Sequence, residues 1–261
     1  MPRGTSIYDE ARLQGRLWTP LNLGSALIAW WDPSQGVVQN ATGVVSWADR
    51  VGGVVASYIT ANSQPSWSPT ARNGRPGIVM TTNSQSLSFT PGSNWPVGAV
   101  PLSVAAVGYC SSGVGTGDYR GIFGYGESGS GLEVYDGASY LRVSSAGNGD
   151  LVSTTKKWYG VDQIFIATST GSTAIIYAAG VSAASGSVPI TPDLTGGAIG
   201  TGIQYNGDYW NGVIQDILLI SGVLTLSQRR KMNGFLAWKN NLLKLPAASD
   251  PFKNRPPLIG D

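Results

Sequence analysis

Four consecutive aliphatic residues, Ile217-Leu218-Leu219-Ile220, set the tightest limit on how this chain can fold. They lie in a strand-like run, Val213–Ser221, that follows an Asn211-Gly212 turn. A half-exposed strand alternates apolar and polar residues, whereas an unbroken apolar run needs cover on both faces. The next segment supplies one cover. Thr225-Leu226-Ser227-Gln228 has capping-box spacing: the Thr hydroxyl accepts from the backbone three residues on, and the Gln side chain reaches back. Beyond it Met232, Phe235, Leu236, Lys239, Leu242 and Leu243 recur on one helical face. The stretch from Trp210 to Leu243 is therefore expected to be a strand with a core on one side and its own closing helix on the other. Arg229-Arg230-Lys231 reads as the solvated side of that helix, not as a nucleic-acid patch.

The rest of the chain reads as short strands. Only 12% of residues are charged, there are 36 glycines and nine tryptophans, and helix-forming composition is missing elsewhere. Strand-like runs fall at Leu27–Trp31, Val44–Trp47, Gly77–Thr81, Ser86–Phe89, Leu102–Cys110 and Arg120–Tyr125. Further runs, Leu132–Tyr135 and Ser139–Val143, flank Asp136-Gly137, while residues 139–145 and 151–155 flank Asn148-Gly149. Both dipeptides suit the positive φ angles of tight hairpin turns. Val161–Thr168 and Thr173–Tyr177 make another pair, and Ala198-Ile199 leads to the closing strand. Residues 60–77, with Pro65, Pro69 and Pro76, read as loop. Many strands with regular turn signals and no βαβ alternation predict an all-β, two-sheet antiparallel sandwich with one C-terminal helix.

Three units are expected: an N-terminal arm (1–20), the sandwich (21–244) and a Pro-rich C-terminal arm (245–261). Pro246, Pro251, Pro256 and Pro257 exclude regular structure from the tail and suggest an extended arm. Residues 226–261 carry 7 Lys/Arg against 2 Asp/Glu, while residues 21–225 carry 7 against 11. A basic end and a mildly acidic body suit contacts between copies of the chain. The residues expected to make such assembly contacts are Arg12, Arg16, Leu17, Trp18, Phe252, Lys253 and Arg255. The body is expected to fold without either arm.

Several chemistries are disfavoured. There is no histidine, which removes the commonest general base and metal ligand, and the lone Cys110 reads as a small buried hydrophobe. Glycoside hydrolysis needs a carboxylate pair across one groove, but Glu133 and Asp136 fall on opposite sides of a strand, and Asp216 reads as a structural acceptor. No apolar stretch is long enough to span a bilayer, and the first residues lack a signal-peptide core, so export would be by lysis or assembly. The chain is expected to have no enzyme activity, cofactor or metal, and no nucleic-acid or membrane partner. A glycan site is the alternative: Tyr205, Asn206, Asp208, Tyr209 and Trp210, with Tyr119 and Tyr125, could supply an aromatic platform and polar donors.

Three segments carry a resemblance. Leu17-Trp18-Thr19-Pro20 precedes Ala26–Asp32 (ALIAWWD) and Val45–Arg50 (VSWADR); Lys157-Trp158-Tyr159 leads towards Ile175-Ile176-Tyr177; and the closing element joins Leu224-Thr225-Leu226-Ser227 to Leu236-Ala237-Trp238-Lys239. On these the chain resembles laminin-G-like, concanavalin A-like jelly-roll domains of bacteriophage virion proteins. The resemblance implies a virion structural protein assembled in the host cytoplasm. Its expected place is as a capsid decoration or head-associated homo-oligomer, such as a trimer, contacting other virion proteins. The alternative it implies is a tail or fibre protein with a lectin-like face for host surface glycans. Calcium loops of that family are Asp-rich; the matching Met80–Ser84 and Ala178–Gly180 here are not, and Asp32 and Asp49 read as turn caps.

Overall fold

The computed structural model describes residues 16–261 apart from 61–63, 83, 112–119, 127–131, 138–139, 146–148, 154–158, 202–208 and 248. A 3-10 helix (Pro20–Ala26) leads into β1 (Leu27–Trp31), β2 (Val37–Gln39), β3 (Val44–Ala48), β4 (Val55–Tyr58), β5 (Ser66–Arg72), β6 (Arg75–Met80) and β7 (Leu87–Phe89). Then come β8 (Leu102–Cys110), β9 (Gly121–Tyr125), β10 (Leu132–Gly137), β11 (Tyr140–Ser145), β12 (Gly149–Val152), β13 (Asp162–Ser169), β14 (Thr173–Ala178) and β15 (Val181–Ser187). The chain closes with β16 (Gly197–Ile199), β17 (Gly212–Ser221) and helix α1 (Leu226–Lys239).

These strands form two antiparallel sheets. One has the order β15-β14-β13-β8-β17-β6-β5, with β1 also paired to β17; the other runs β12-β11-β10-β9-β16-β7-β4-β3-β2. β17 is the centre of the first sheet. β8 lines one of its edges throughout, while β6 takes the start of the other edge and β1 the end. Every residue from Val213 to Ile220 is buried, as the apolar run requires. Ile214, Ile217 and Leu219 face the second sheet, and Leu218 and Ile220 face α1.

The same division falls between neighbouring tryptophans. Trp31 joins Phe89, Trp95, Phe123 and Tyr125 in the core between the sheets, with ring centroids 4.9–6.2 Å apart along the cluster, and Trp47 is buried in the same core. Trp30 points the other way, edge-on to Phe235 of α1 at 5.8 Å, because successive strand residues alternate faces. Helix α1 starts as its sequence demands: Gln228 N donates to Thr225 Oγ1 (3.2 Å), and Thr225 N donates to Gln228 Oε1 (2.9 Å). Met232, Phe235, Leu236 and Ala237 are buried against the sheet.

Some strands depart from the expectation or fall outside it altogether, β2 and β4 among them. Residues 60–77 contain β5, which tolerates Pro69 because it lies at the sheet edge, where a missing N–H costs no ladder bond. β10 runs through Asp136-Gly137, with Gly137 opposite Tyr140, so the dipeptide belongs to the strand and not to the turn. β15 has no apolar alternation to announce it.

The tail is irregular, as its prolines require, but it does not project. Phe252 is 4% exposed and lies over Gly234, where even a Cβ would meet its ring-bearing carbon at 2.5 Å. Trp238 Nε1 donates to Phe252 O (2.7 Å), and Asn233 Nδ2 donates to Asp250 Oδ2 (3.0 Å). Leu17 bridges Leu258 antiparallel, framed by Trp18 N to Pro257 O (3.0 Å) and Ile259 N to Arg16 O (2.8 Å). The described parts of both arms thus close over α1 of their own chain.

Candidate functional site

The most polar part of the interior lies where β1, β17 and the end of α1 meet. Asp216 sits beyond a bulge in β17, where the register to β8 shifts between Ile214 and Asp216; bulges re-aim side chains in this way. Its carboxylate is fully buried and receives Trp30 Nε1 (2.8 Å) and Lys239 Nζ on Oδ1, and Lys239 Nζ (2.9 Å) and Asn240 Nδ2 (2.8 Å) on Oδ2. Asp32, just past β1, accepts Ser34 N (3.0 Å), Ser34 Oγ (2.7 Å) and Lys239 Nζ (2.9 Å) on Oδ1, and Arg50 Nη1 (2.8 Å) on Oδ2. The Arg50 guanidinium lies 4.2 Å from the centroid of the Trp30 ring. One lysine at the last turn of the helix therefore ties two strands' carboxylates together.

Burial sets the electrostatics. At Asp32 it favours the neutral acid, but Lys239 and Ser34 overcome it and leave the carboxyl below its ordinary value. At Asp216 complete burial wins and pushes the carboxyl up, against the pull of Lys239. Burial also opposes the Lys239 charge, yet Asp216 and Asp32 together hold the ammonium above its ordinary 10.5. Each carboxylate accepts four hydrogen bonds from protein donors, which fills the acceptor positions an acid–base catalyst would turn to substrate. The cluster is a structural clasp.

Above this clasp opens a pocket of about 400 Å³. Leu17, Leu21 and Phe235 form apolar walls, and Thr19, Ser34, Gln35 and Arg50 supply polar groups beside Asp32 and Lys239. Among the described residues the Arg50 side chain hydrogen-bonds only through Nη1 while its guanidinium lies over Trp30, and Gln35 and Ser34 are exposed. Such a mixture of apolar wall and convergent donors suits a small polar ligand.

Of the aromatic platform expected around residue 210, Trp210 and Tyr125 belong to the interior. Trp210 is 1% exposed in the core between the sheets, with its ring against Gly108, and Tyr125 is buried with its hydroxyl donating to Pro96 O (3.0 Å). Both lie on strands or strand entries whose inward positions the core claims. Tyr209 is half-buried and its carbonyl accepts from Arg120. Tyr119, Tyr205, Asn206 and Asp208 lie outside the described residues. Of the residues expected in assembly contacts, Leu17, Trp18 and Phe252 are buried in this chain itself, Arg16 is exposed, and Arg255 pairs with Asp261 (2.7 Å); Lys253 is half-buried, and Arg12 lies outside the described residues. Asp49 is the expected turn cap, accepting from the backbone of Val51, Gly52 and Val54. Cys110 is buried. Among the described residues no three His, Cys, Asp or Glu side chains group as metal ligands, and no helix is long and apolar enough to cross a membrane. The Asp32–Lys239–Asp216 clasp was not foreseen: its members are 23 and 184 residues apart along the chain. Lys239 on the apolar stripe of the helix was the one available signal.

No protein-family model and no curated protein matches the chain. Solved structures share its fold. Trypanosoma rangeli sialidase, in complex with sialic acid, aligns over 85% of this chain and 34% of its own length at 14% identity, with a TM-score of 0.55. Domain 4 of AbnA, a GH43 extracellular arabinanase from Geobacillus stearothermophilus, in complex with arabinotriose, aligns over 79% of this chain and 98% of that domain at 16% identity, TM-score 0.56. The binding domain of Paraclostridial Mosquitocidal Protein 1 aligns over 81% and 52% at 8% identity, TM-score 0.61. The chain thus spans about a third of the sialidase and half of the toxin binding domain. At these identities the likeness is one of fold, that of an antiparallel two-sheet β-sandwich.

Proposed function

We propose that this chain is a non-enzymatic carbohydrate-binding β-sandwich, with its sugar site in the pocket over the Asp32–Lys239–Asp216 clasp. The pocket itself carries the reading: an apolar wall of Leu17, Leu21 and Phe235 suits the C–H face of a sugar ring, and Arg50, Gln35, Ser34 and Thr19 suit its hydroxyls. The clasp holds Asp32 and Arg50 rigidly, which lowers the ordering cost of binding. Fold relatives seen with sialic acid and arabinotriose favour a saccharide over other polar ligands. Saturated carboxylates favour binding over hydrolysis.

A glycan array followed by calorimetry tests this. A hit whose affinity falls about tenfold in Gln35→Ala, a change at an exposed side chain, is the expected result. An array without a binder would sink the function; a binder indifferent to Gln35→Ala and Arg50→Lys would move the site elsewhere.

A second reading, a bacteriophage virion protein, is favoured by the likeness of the closing element, Leu224–Ser227 with Leu236–Lys239. In this reading the sandwich is displayed on a capsid or tail, and contacts to other virion proteins fall to exposed residues such as Arg16 and to residues 1–15, since Leu17, Trp18 and Phe252 are buried. Counting copies on particles by cryo-EM separates a head decoration protein, present in many copies, from a tail-tip receptor binder, present in few. No copies on any particle would discard it.

A further inference from the structure

The strands that end the two sheet orders, β15 and β5 in one and β12 and β2 in the other, are not alike. β5 carries Pro69, Arg72 and a register shift between Ser68 and Arg72. β2 has three residues and a shift of its own. β12 has four residues and carries Asp150, paired with Arg142. Each has a feature that discourages another strand from adding to it: proline, charge, a bulge or shortness. β15 differs. Its seven residues, Val181-Ser-Ala-Ala-Ser-Gly-Ser187, contain neither charge nor proline. The void extends well beyond it, because no Asp, Glu, Lys or Arg occurs between Asp162 and Asp193, a span that includes nearly all of β13, β14 and β15.

β15 pairs with β14 on one side only, and four of its residues are exposed while three are half-buried. Among the described residues no backbone group outside β14 bonds to the backbone of β15; its Ser187 Oγ donates to Ser172 O (3.3 Å). A single bulge, at Ala183 between Ser182 and Ala184, interrupts its register. From Ala184 to Ser187 the strand is regular: Gly186 points inward, its Cβ position 3.1 Å from Leu151, so Ser185 and Ser187 point to the outer face.

We propose that β15 is a self-association edge, where a second copy of this chain adds its own β15 antiparallel about a two-fold axis and continues the sheet. Three observations select a second copy over a foreign peptide. An uncharged strand pairs with itself without like-charge repulsion, and a two-fold interface needs only one self-complementary patch. Side chains of serine, alanine and glycine let two such edges approach without steric selection. Strand addition by a foreign peptide draws its specificity from side-chain pockets beside the edge, and the pockets described, over α1, beneath the tail and by Arg72–Asp162, are lined by no residue of β15. Seven residues make a strand only about 23 Å long, so the interface is small and the dimer is weak and concentration-dependent.

Sedimentation velocity on the full chain across a concentration series, with hydrogen exchange of residues 181–187, tests the proposal. The expected result is a reversible dimer, with amide protection in β15 rising as dimer forms. Ser185→Lys, which sets two ammonium groups near each other across the axis, should raise the dissociation constant roughly tenfold or more. Ser249→Lys, at an exposed tail position, should leave it unchanged. A monomer at every concentration overturns the proposal. So does a dimer that survives Ser185→Lys, or one whose formation leaves β15 exchange unaltered. Since the exchange measurement uses the unaltered chain, it decides even if Ser185→Lys folds poorly.

Discussion

The two faces of the eight-stranded sheet hold their partners by different physics. Towards the nine-stranded sheet, Trp31, Phe123, Phe89 and Tyr125 interlock in a core where Trp31 Nε1 and the Tyr125 hydroxyl donate to nearby carbonyls and the buried Trp95 Nε1 has no partner among the described residues. Towards α1, the contact mixes apolar packing of Trp30, Phe235 and Met232 with buried charge on Asp32, Asp216 and Lys239. Apolar packing tolerates many arrangements of similar volume, whereas an ion cluster is satisfied in one. The first face makes the sandwich; the second fixes where the helix ends and leaves a pocket beside it.

Substitutions can break this contrast, beginning with the dry face. Trp31→Ala should cost about 5 kcal/mol by chemical denaturation, since it empties the centre of the aromatic core. A loss below about 2 kcal/mol would mean the core is not centred there. Lys239→Met should cost about 3–5 kcal/mol, because it strands two buried carboxylates, whereas Lys239→Met with Asp216→Leu and Asp32→Asn should recover part of it. If the single change is neutral, the clasp does not secure the helix. The pH dependence sharpens the same point. Lys239 has a raised folded value, so its contribution is fully present below pH 10.5 and is lost as pH rises through that folded value. Wild-type stability should therefore fall more steeply in this alkaline range than that of Lys239→Met; parallel curves would contradict the assignment. The smallest effect belongs to the cap: Thr225→Ala should cost about 1 kcal/mol and leave the sheets' near-ultraviolet signal unchanged.

The sequence discloses the dry face far better than the charged one. Leu102–Cys110 and the capped helix are written in local patterns, alternation or runs in one and Thr225–Gln228 in the other, and the structure has both with little change in their ends. β5 and β15 escape such reading: one carries Pro69, and the other is built from Ser, Ala and Gly, so neither has a hydrophobic period. The clasp is hidden for another reason. Asp32, Asp216 and Lys239 are each unremarkable in their own stretch, and their meeting depends on β1 pairing with the end of β17. The candidate pocket inherits that dependence, because its polar side is Asp32, Arg50 and Lys239. Trp210 misleads in the opposite direction: a tryptophan beside an Asn-Gly turn looks surface-bound, yet the close approach of Gly108 gives its ring a place inside.

The antiparallel bridge between Leu17 and Leu258 has a mechanical consequence. Arg16 and Ile259 leave it at the same end, so tension applied through the two ends of the described chain would open the bridge like a zipper, one bond after another, beginning with Ile259 N to Arg16 O. Trp18 and then Phe252 would peel from the helix before any load reached the sheet ladders. The molecule is thus arranged to yield first at its lid, and single-molecule extension should record a small, low-force step ahead of the rupture of the sandwich.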